Sequence, residues 1–303
     1  MKKLLLILVL AVMCSSVARA DDLSDGFKAY KKGDYDIAFM LLKPLAEKGN
    51  AAAQTLLGVM YHGGRGVIKN YKEAIEWYRK AAEKGVVIAQ SRLGDFYAGG
   101  LGTKEDLKEA AKWYRKAADQ GDSRAQYNLG QLYRQGKGVP KDYKTSVNWY
   151  TLSAEQGHAV AQFNLGQMYY EGDGVPKDDK TAVKWWTLSA EQGHAVAQFN
   201  LGSMYDAGNG VPKDDKTAVK WWTLSAEQGH APAQVNLAVK HAFGAGVPKD
   251  IVYAYMWANL AASNGKENGG GLRDDLAKKM TPQQIAEAQK LSRECVAKNY
   301  KGC

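Results

Sequence analysis

A tryptophan recurs every 36 residues along this chain, at Trp77, Trp113, Trp149, Trp185, Trp221 and Trp257. Other positions keep the same step. Gln54, Gln90, Gln126, Gln162, Gln198 and Gln234 stand upstream of each tryptophan. They are followed by Leu57-Gly58, Leu93-Gly94, Leu129-Gly130, Leu165-Gly166 and Leu201-Gly202, with Leu237-Ala238 the one departure. Tyr61, Tyr97, Tyr133, Tyr169 and Tyr205 close the segment, replaced by His241 in the last copy. Six units of 36 residues cover 51–266 (51–86, 87–122, 123–158, 159–194, 195–230 and 231–266). A period in this range means a repeat architecture, because one such unit cannot bury its apolar face alone and must stack on its neighbours.

The periodicity inside a unit is helical. In the third copy Ala125, Leu129, Leu132 and Tyr133 fall on one face of a first helix. Gly136-Lys137-Gly138-Val139-Pro140 breaks it. Asp142 then offers an N-cap to a second helix with an inward stripe of Tyr143, Ser146, Val147, Tyr150 and Ala154, ended by Gly157. The capping position recurs at Asn70, Asp106, Asp178, Asp214 and Asp250, and Asp34 extends the register backwards. Residues 21–50 are therefore read as a truncated N-terminal capping unit. The fold expected is all-α, an α/α solenoid of two-helix repeats. The mid-helix glycines cost about 1 kcal/mol each against alanine, which suggests a neighbour too close for a β-carbon. The tryptophans are read as core.

After residue 266 the period stops. Gly269-Gly270-Gly271 reads as a hinge or loop, and 272–279 as a short helix. Thr281-Pro282-Gln283-Gln284 is a helix start with a capping box, opening a helix from 282 to about 298. Residues 267–303 are expected to cap the last unit, and Cys295 and Cys303 to form a disulfide that pins the tail.

The beginning of the chain reads as an export signal. Lys2 and Lys3 precede an apolar run from Leu4 to Met13, and Ala18-Arg19-Ala20 supplies small residues for cleavage after Ala20. Spanning a bilayer takes about 20 apolar residues, more than this run holds. Lipidation at Cys14 is the alternative, opposed by the bulk of Met13. Removing residues 1–20 takes three basic residues and lowers the net charge from +9 to +6. The destination expected is the periplasm, or the medium beyond it, without an integral membrane span.

With these residues in view, the chain resembles the Sel1-like repeat family, relatives of tetratricopeptide repeats. The segment Ala159 to Gly193 carries the motif A-x-x-Q-x-x-L-G-x-x-Y-x-x-G-x-G-V-x-x-D-x-x-x-A-x-x-W-x-x-x-A-A-x-x-G almost whole. The resemblance implies a superhelix whose concave surface, lined by first helices, holds protein partners. Some exported cysteine-rich relatives bind or slowly hydrolyse β-lactams, but they carry a cysteine pair in each repeat, and here the repeats contain none.

Catalytic and metal signals are sparse. Ser263-Asn264-Gly265-Lys266 fits the S-x-x-K pattern of penicillin-recognising enzymes, but it lies at a helix end rather than at a helix start. His158, His194 and His230 stand at equivalent places in stacked units, about 10 Å apart, too far to share an ion whose ligands lie about 2 Å away. Asp173, Asp178, Asp179, Asp214 and Asp215 lack calcium-loop spacing. The excess of +6 is read as solvated lysine on helix backs, with no nucleic-acid partner, no metal and no cofactor expected.

The binding signal is a ladder. Asn128, Asn164, Asn200 and Asn236 recur once per unit in the first helix, with Gln131, Gln167 and Ser203 one turn along. A column of amides offers donor and acceptor to an extended peptide backbone. Bracing of neighbouring helices is the alternative use of the same groups. Units 159–194 and 195–230 differ at only four positions, Gln167/Ser203, Tyr170/Asp206, Glu171/Ala207 and Asp173/Asn209, all at the end of the first helix or in the turn beyond. The function expected is a non-catalytic, exported scaffold that binds a protein or peptide; the alternatives are a β-lactam-binding enzyme and a secreted host-contact factor.

Overall fold

Side-chain caps set where the helices begin. The computed structural model describes residues 20–265 and 267–303, and the export signal lies outside the described residues except for Ala20. Six first helices are α3 (Ala51–Gly63), α5 (Val87–Gly99), α7 (Ser123–Gln135), α9 (Ala159–Glu171), α11 (Ala195–Ala207) and α13 (Ala231–Phe243). Six second helices are α4 (Tyr71–Glu83), α6 (Leu107–Ala118), α8 (Tyr143–Glu155), α10 (Asp179–Glu191), α12 (Asp215–Ala226) and α14 (Ile251–Ser263). Helices α1 (Ala20–Lys32) and α2 (Tyr35–Glu47) precede them; α15 (Glu267–Ala277) and α16 (Pro282–Ala297) follow. Among the described residues there is no strand. Asn70, Asp106, Asp142, Asp178, Asp214 and Asp250 each accept backbone N–H bonds at the start of a second helix, as the register predicts. Asp34 makes no such bond. Gly208 ends α11 at φ +74, a conformation that costs glycine nothing. Two residues on, a β-carbon at Gly210 would lie 2.6 Å from the Asp179 backbone.

The helices form two units, one through Lys141 and one from Asp142 to Cys303. In the first, helices α1 to α7 pack each on the next. In the second, α8 to α15 do the same, and α16 lies on α14. This neighbour-to-neighbour packing is that of an α-solenoid.

Two devices repeat at the seams. The last carbonyls of a helix lack intrahelical donors, and buried ones need a partner. Here the 36-residue glutamine supplies it: Nε2 of Gln162 donates to the Ala154 carbonyl at 3.0 Å and Nε2 of Gln198 to that of Ala190 at 3.0 Å. Gln54, Gln90, Gln126 and Gln234 repeat the bond on Ala46, Ala82, Ala118 and Ala226. A second layer of amides, Gln120, Gln192, Gln228 and Asn264, donates in turn to the glutamine oxygens of Gln90, Gln162, Gln198 and Gln234.

The other device explains the glycines. A β-carbon on Gly58, Gly94, Gly166 or Gly202 would lie 2.6–2.7 Å from a ring atom of Tyr78, Tyr114, Trp186 or Trp222. The nearest neighbour is thus the aromatic ring one place after the periodic tryptophan, and for Gly166 and Gly202 the backbone oxygens of Ala182 and Ala218 follow at 3.1 and 3.0 Å. That ring is the buried member of the pair in the fourth and fifth repeats, where Trp186 and Trp222 are enclosed and Trp185 and Trp221 are half-buried. Trp77, Trp113 and Trp257 are buried as expected.

The reading of Gly269-Gly270-Gly271 as a hinge is corrected: all three lie inside α15. Tertiary packing overrides propensity there, since a β-carbon on Gly269 would meet that of Ala261 at 2.8 Å. The capping box at Thr281 and Gln284 forms as expected. Cys295 and Cys303 form a disulfide with a Cα–Cα distance of 5.4 Å. The looped tail is held by Tyr300 Oη donating to Asn264 Oδ1 at 3.0 Å and by the Gly302 amide on Glu227 at 2.9 Å. Together α15 and α16 cover α14, in which Tyr255, Met256 and Trp257 are all buried.

Candidate binding face

Each first helix has one face in the seam and one turned outward, and the amide column stands at the border between them. Asn128, Asn164, Asn200 and Asn236 are half-buried, as are Gln131, Gln167 and Ser203. Within each unit the column reaches back one repeat. Asn200 Nδ2 points at Gln167 Oε1 and Asn128 Nδ2 at Asp95 Oδ1, each across 3.5 Å. These contacts stand at the outer limit of a hydrogen bond, and they leave the amides capacity for other partners. Gln167 donates to Glu171 at 2.7 Å, and Ser203 Oγ to its own helix at Phe199 O.

Six of these seven residues line grooves at three seams. Between α9 and α11, Gln167, Asn200 and Ser203 stand beside the rings of Phe163, Tyr170 and Phe199 in a groove of about 410 Å³. Trp186 forms its floor, with Nε1 donating to Phe163 O at 3.2 Å. Between α11 and α13 the groove is smaller, about 240 Å³, and Asn236 shares it with Asp206, Trp222, Lys240 and the exposed Phe243. In the first unit Asn128 and Gln131 line a more polar groove of about 240 Å³ with Tyr114 and Gln135.

Several members of this face were not among the sequence candidates. Lys240 is the clearest. It occupies the column of Met60, Phe96, Leu132, Met168 and Met204, all buried, so the register itself marks it as foreign. Its side chain is 12% exposed, donates to Asp206, and donates to Asp215 Oδ1 at 2.8 Å. Burial works against the ammonium, but the bonds to Asp206 and Asp215 outweigh it and raise its pKa. The bond to Lys240 in turn holds Asp215 below the usual carboxylate range. Asp95, at the Gln131 register, is pushed upward by burial against the pull of Arg124 at 2.8 Å and a bond from Tyr114.

The other candidates have structural employment. His158 and His194 are N-caps, their Nδ1 atoms accepting from Ala161 N and Ala197 N at 3.2 Å. Burial lowers the pKa of His194, whose ring stacks on Phe163. Asp178 and Asp214 are caps as well. Ser263 is the last residue of α14, and its hydroxyl donates to Asn259 O at 3.0 Å. It therefore lacks the helix-start setting of a penicillin-recognising serine.

The Sel1 repeat family profile matches residues 23–50, 51–86, 87–122, 123–158, 159–194, 195–230 and 231–266. The chain is a Sel1-repeat protein. A Sel1 repeat protein from Oxalobacter formigenes is 36% identical, over 80% of this chain and 97% of that one, with a TM-score of 0.70. A protective antigen present in uropathogenic Escherichia coli strains, displaying an SLR fold, is 33% identical over 92% of this chain and 69% of its own, with a TM-score of 0.62. No curated protein matches the sequence. Sel1-repeat proteins generally mediate protein–protein interaction and are generally non-enzymatic scaffolds. Among the described residues no helix is long and apolar enough to cross a membrane.

Proposed function

We propose that this Sel1-repeat protein is an exported, non-catalytic scaffold, periplasmic or released, that holds an extended segment of a protein partner along its first-helix face. One observation carries the reading: at three seams the amide column opens into grooves of about 240–410 Å³, two walled mainly by apolar and aromatic side chains and the third, at Asn128 and Gln131, more polar. An extended backbone presents a donor and an acceptor at regular intervals, which the amides match, while alternate side chains enter the grooves. The concave side of the solenoid is the face this reading assigns. The export signal, the tail disulfide and the likeness to a protective antigen support a destination outside the cytoplasm.

The test is capture of the partner in the native envelope by crosslinking. Replacing Asn164 and Asn200 together by alanine is expected to reduce the crosslinked yield several-fold with unchanged helical circular dichroism. Undiminished capture would reject the amide face as the binding surface.

A further inference from the structure

We propose that the exposed faces of α8, α10 and α12 form a second docking surface, which takes an amphipathic helix of a partner protein. This surface lies on second helices and is independent of the first-helix face. Its centre is Leu152, Leu188 and Leu224, 37–44% exposed, each three residues beyond the half-buried Trp149, Trp185 or Trp221. Positions three apart share a helix face, so each pair is one apolar patch. The repeats stack in register, and the three patches stand in a column. Single exposed leucines are ordinary, whereas a run of exposed apolar patches marks an interaction site.

The same register positions are covered in the other repeats. In α4 and α6 the leucine's place is taken by Lys80 and Lys116, whose ammonium groups lie 4.2 Å from the centroids of the Trp77 and Trp113 rings. A lysine stem over an indole gives that face a charged cover. In α14 the leucine is kept as Leu260, and there the chain supplies a helix. With α15 beside it, α16 lies on α14, Ser292 Oγ standing 3.5 Å from Met256 O, and Met256, Trp257 and Leu260 are only 1–2% exposed. α16 docks through a narrow stripe of Ile285, Ala288, Ser292 and Cys295, while Glu287, Lys290 and Arg293 face solvent. Its tail then reaches α12, where the Gly302 amide bonds Glu227, one turn beyond Leu224. The uncovered column thus continues an interface that an amphipathic helix already occupies, and this decides the occupant. Exposed Lys184, Lys220, Glu155 and Glu191 rim the column with both signs, as charged residues rim a protein interface. Their carboxylates oppose an anionic membrane surface as the occupant.

The test uses the helix that already docks. A synthetic peptide of residues 281–298 carrying Cys295→Ala, and a scrambled peptide of the same composition, are titrated to millimolar concentration onto the full chain. The ordered peptide is expected to bind about tenfold more tightly than the scrambled one. Leu152→Lys, Leu188→Lys and Leu224→Lys together install the residue of α4 and α6, and are expected to weaken binding about tenfold with helical circular dichroism unchanged. Leu188→Lys alone, the milder variant, is expected to weaken it about threefold. Replacing Asn164 and Asn200 by alanine should leave peptide binding unchanged, which separates this surface from the first-helix face. Equal binding of the scrambled peptide overturns the proposal, as does failure of the ordered peptide to bind. Undiminished binding by the triple-lysine chain overturns it too, by placing the peptide elsewhere. Cosedimentation of the chain with phosphatidylglycerol vesicles in place of peptide binding identifies a lipid contact and overturns it equally.

Discussion

Repeats 195–230 and 231–266 share a seam design but settle three positions differently, and each change is matched by another. In the fifth repeat Gly202 makes room for the Trp222 ring, which a β-carbon would meet at 2.7 Å. In the sixth the ring is gone, replaced by Ala258, and the β-carbon has returned at Ala238; both alanines are fully buried. At the helix starts, His194 caps α11 through Nδ1, whereas α13 has Pro232 in its first turn, and the Ala233 amide bonds the His230 carbonyl instead. At the grooves they help to form, Met204 of the fifth repeat faces Tyr170 of the fourth, whereas Lys240 of the sixth faces Asp206 of the fifth. The unit that tolerates substitution is therefore the touching pair rather than the single residue.

Breaking these pairs gives effects of graded size, read as loss of stability in urea unfolding. Trp222→Ala empties the largest volume and is expected to cost about 3–5 kcal/mol. Gly202→Ala gains about 1 kcal/mol of helix propensity but drives a methyl into the indole, for a net cost of about 1–2 kcal/mol. Combined, the two substitutions recreate the alanine pair of the sixth repeat. The double variant is expected to cost less than the sum, and strict additivity would show that ring and glycine are uncoupled.

The smallest effect belongs to the caps. His194→Ala is expected to cost about 1 kcal/mol and His230→Ala less. Only neutral imidazole can accept at Nδ1, and burial sets the folded pKa of His194 below its unfolded value. The unfolded chain therefore takes up the proton first. The stabilisation is complete above about pH 6.5 and is lost as the pH falls from there through the folded pKa. The wild-type and His194→Ala chains should accordingly converge in stability under mild acid; a constant gap would remove the cap from the account.

Most of the architecture was legible because its determinants are local and repeated. Asp and Asn caps, the turn glycines and the Thr281 capping box each act within four residues, so the spacing along the chain reveals them. What escaped depends on contacts distant in sequence. Gly269 became helical because Ala261 lies against it, and no local preference of a Gly-Gly-Gly stretch announces that. The seam glycines were recognised as tight places, but the partner ring lies 20 residues downstream. The amide column was visible from its period; the aromatic walls around it were not, because Phe163 and Tyr170 join Phe199 only across the seam. Lys240 was available to a register comparison, as the one charged residue in an otherwise apolar column.

The glutamine that bonds the preceding helix end gives successive seams one connection in common. Each repeat offers the same donor on one side and the same free carbonyl on the other, so a copied repeat meets a neighbour it already fits. A gene encoding such a chain can lengthen or shorten by whole units without inventing a new interface. The near identity of units 159–194 and 195–230 is the trace such a duplication would leave, with the four differences confined to the end of the first helix and the turn beyond it.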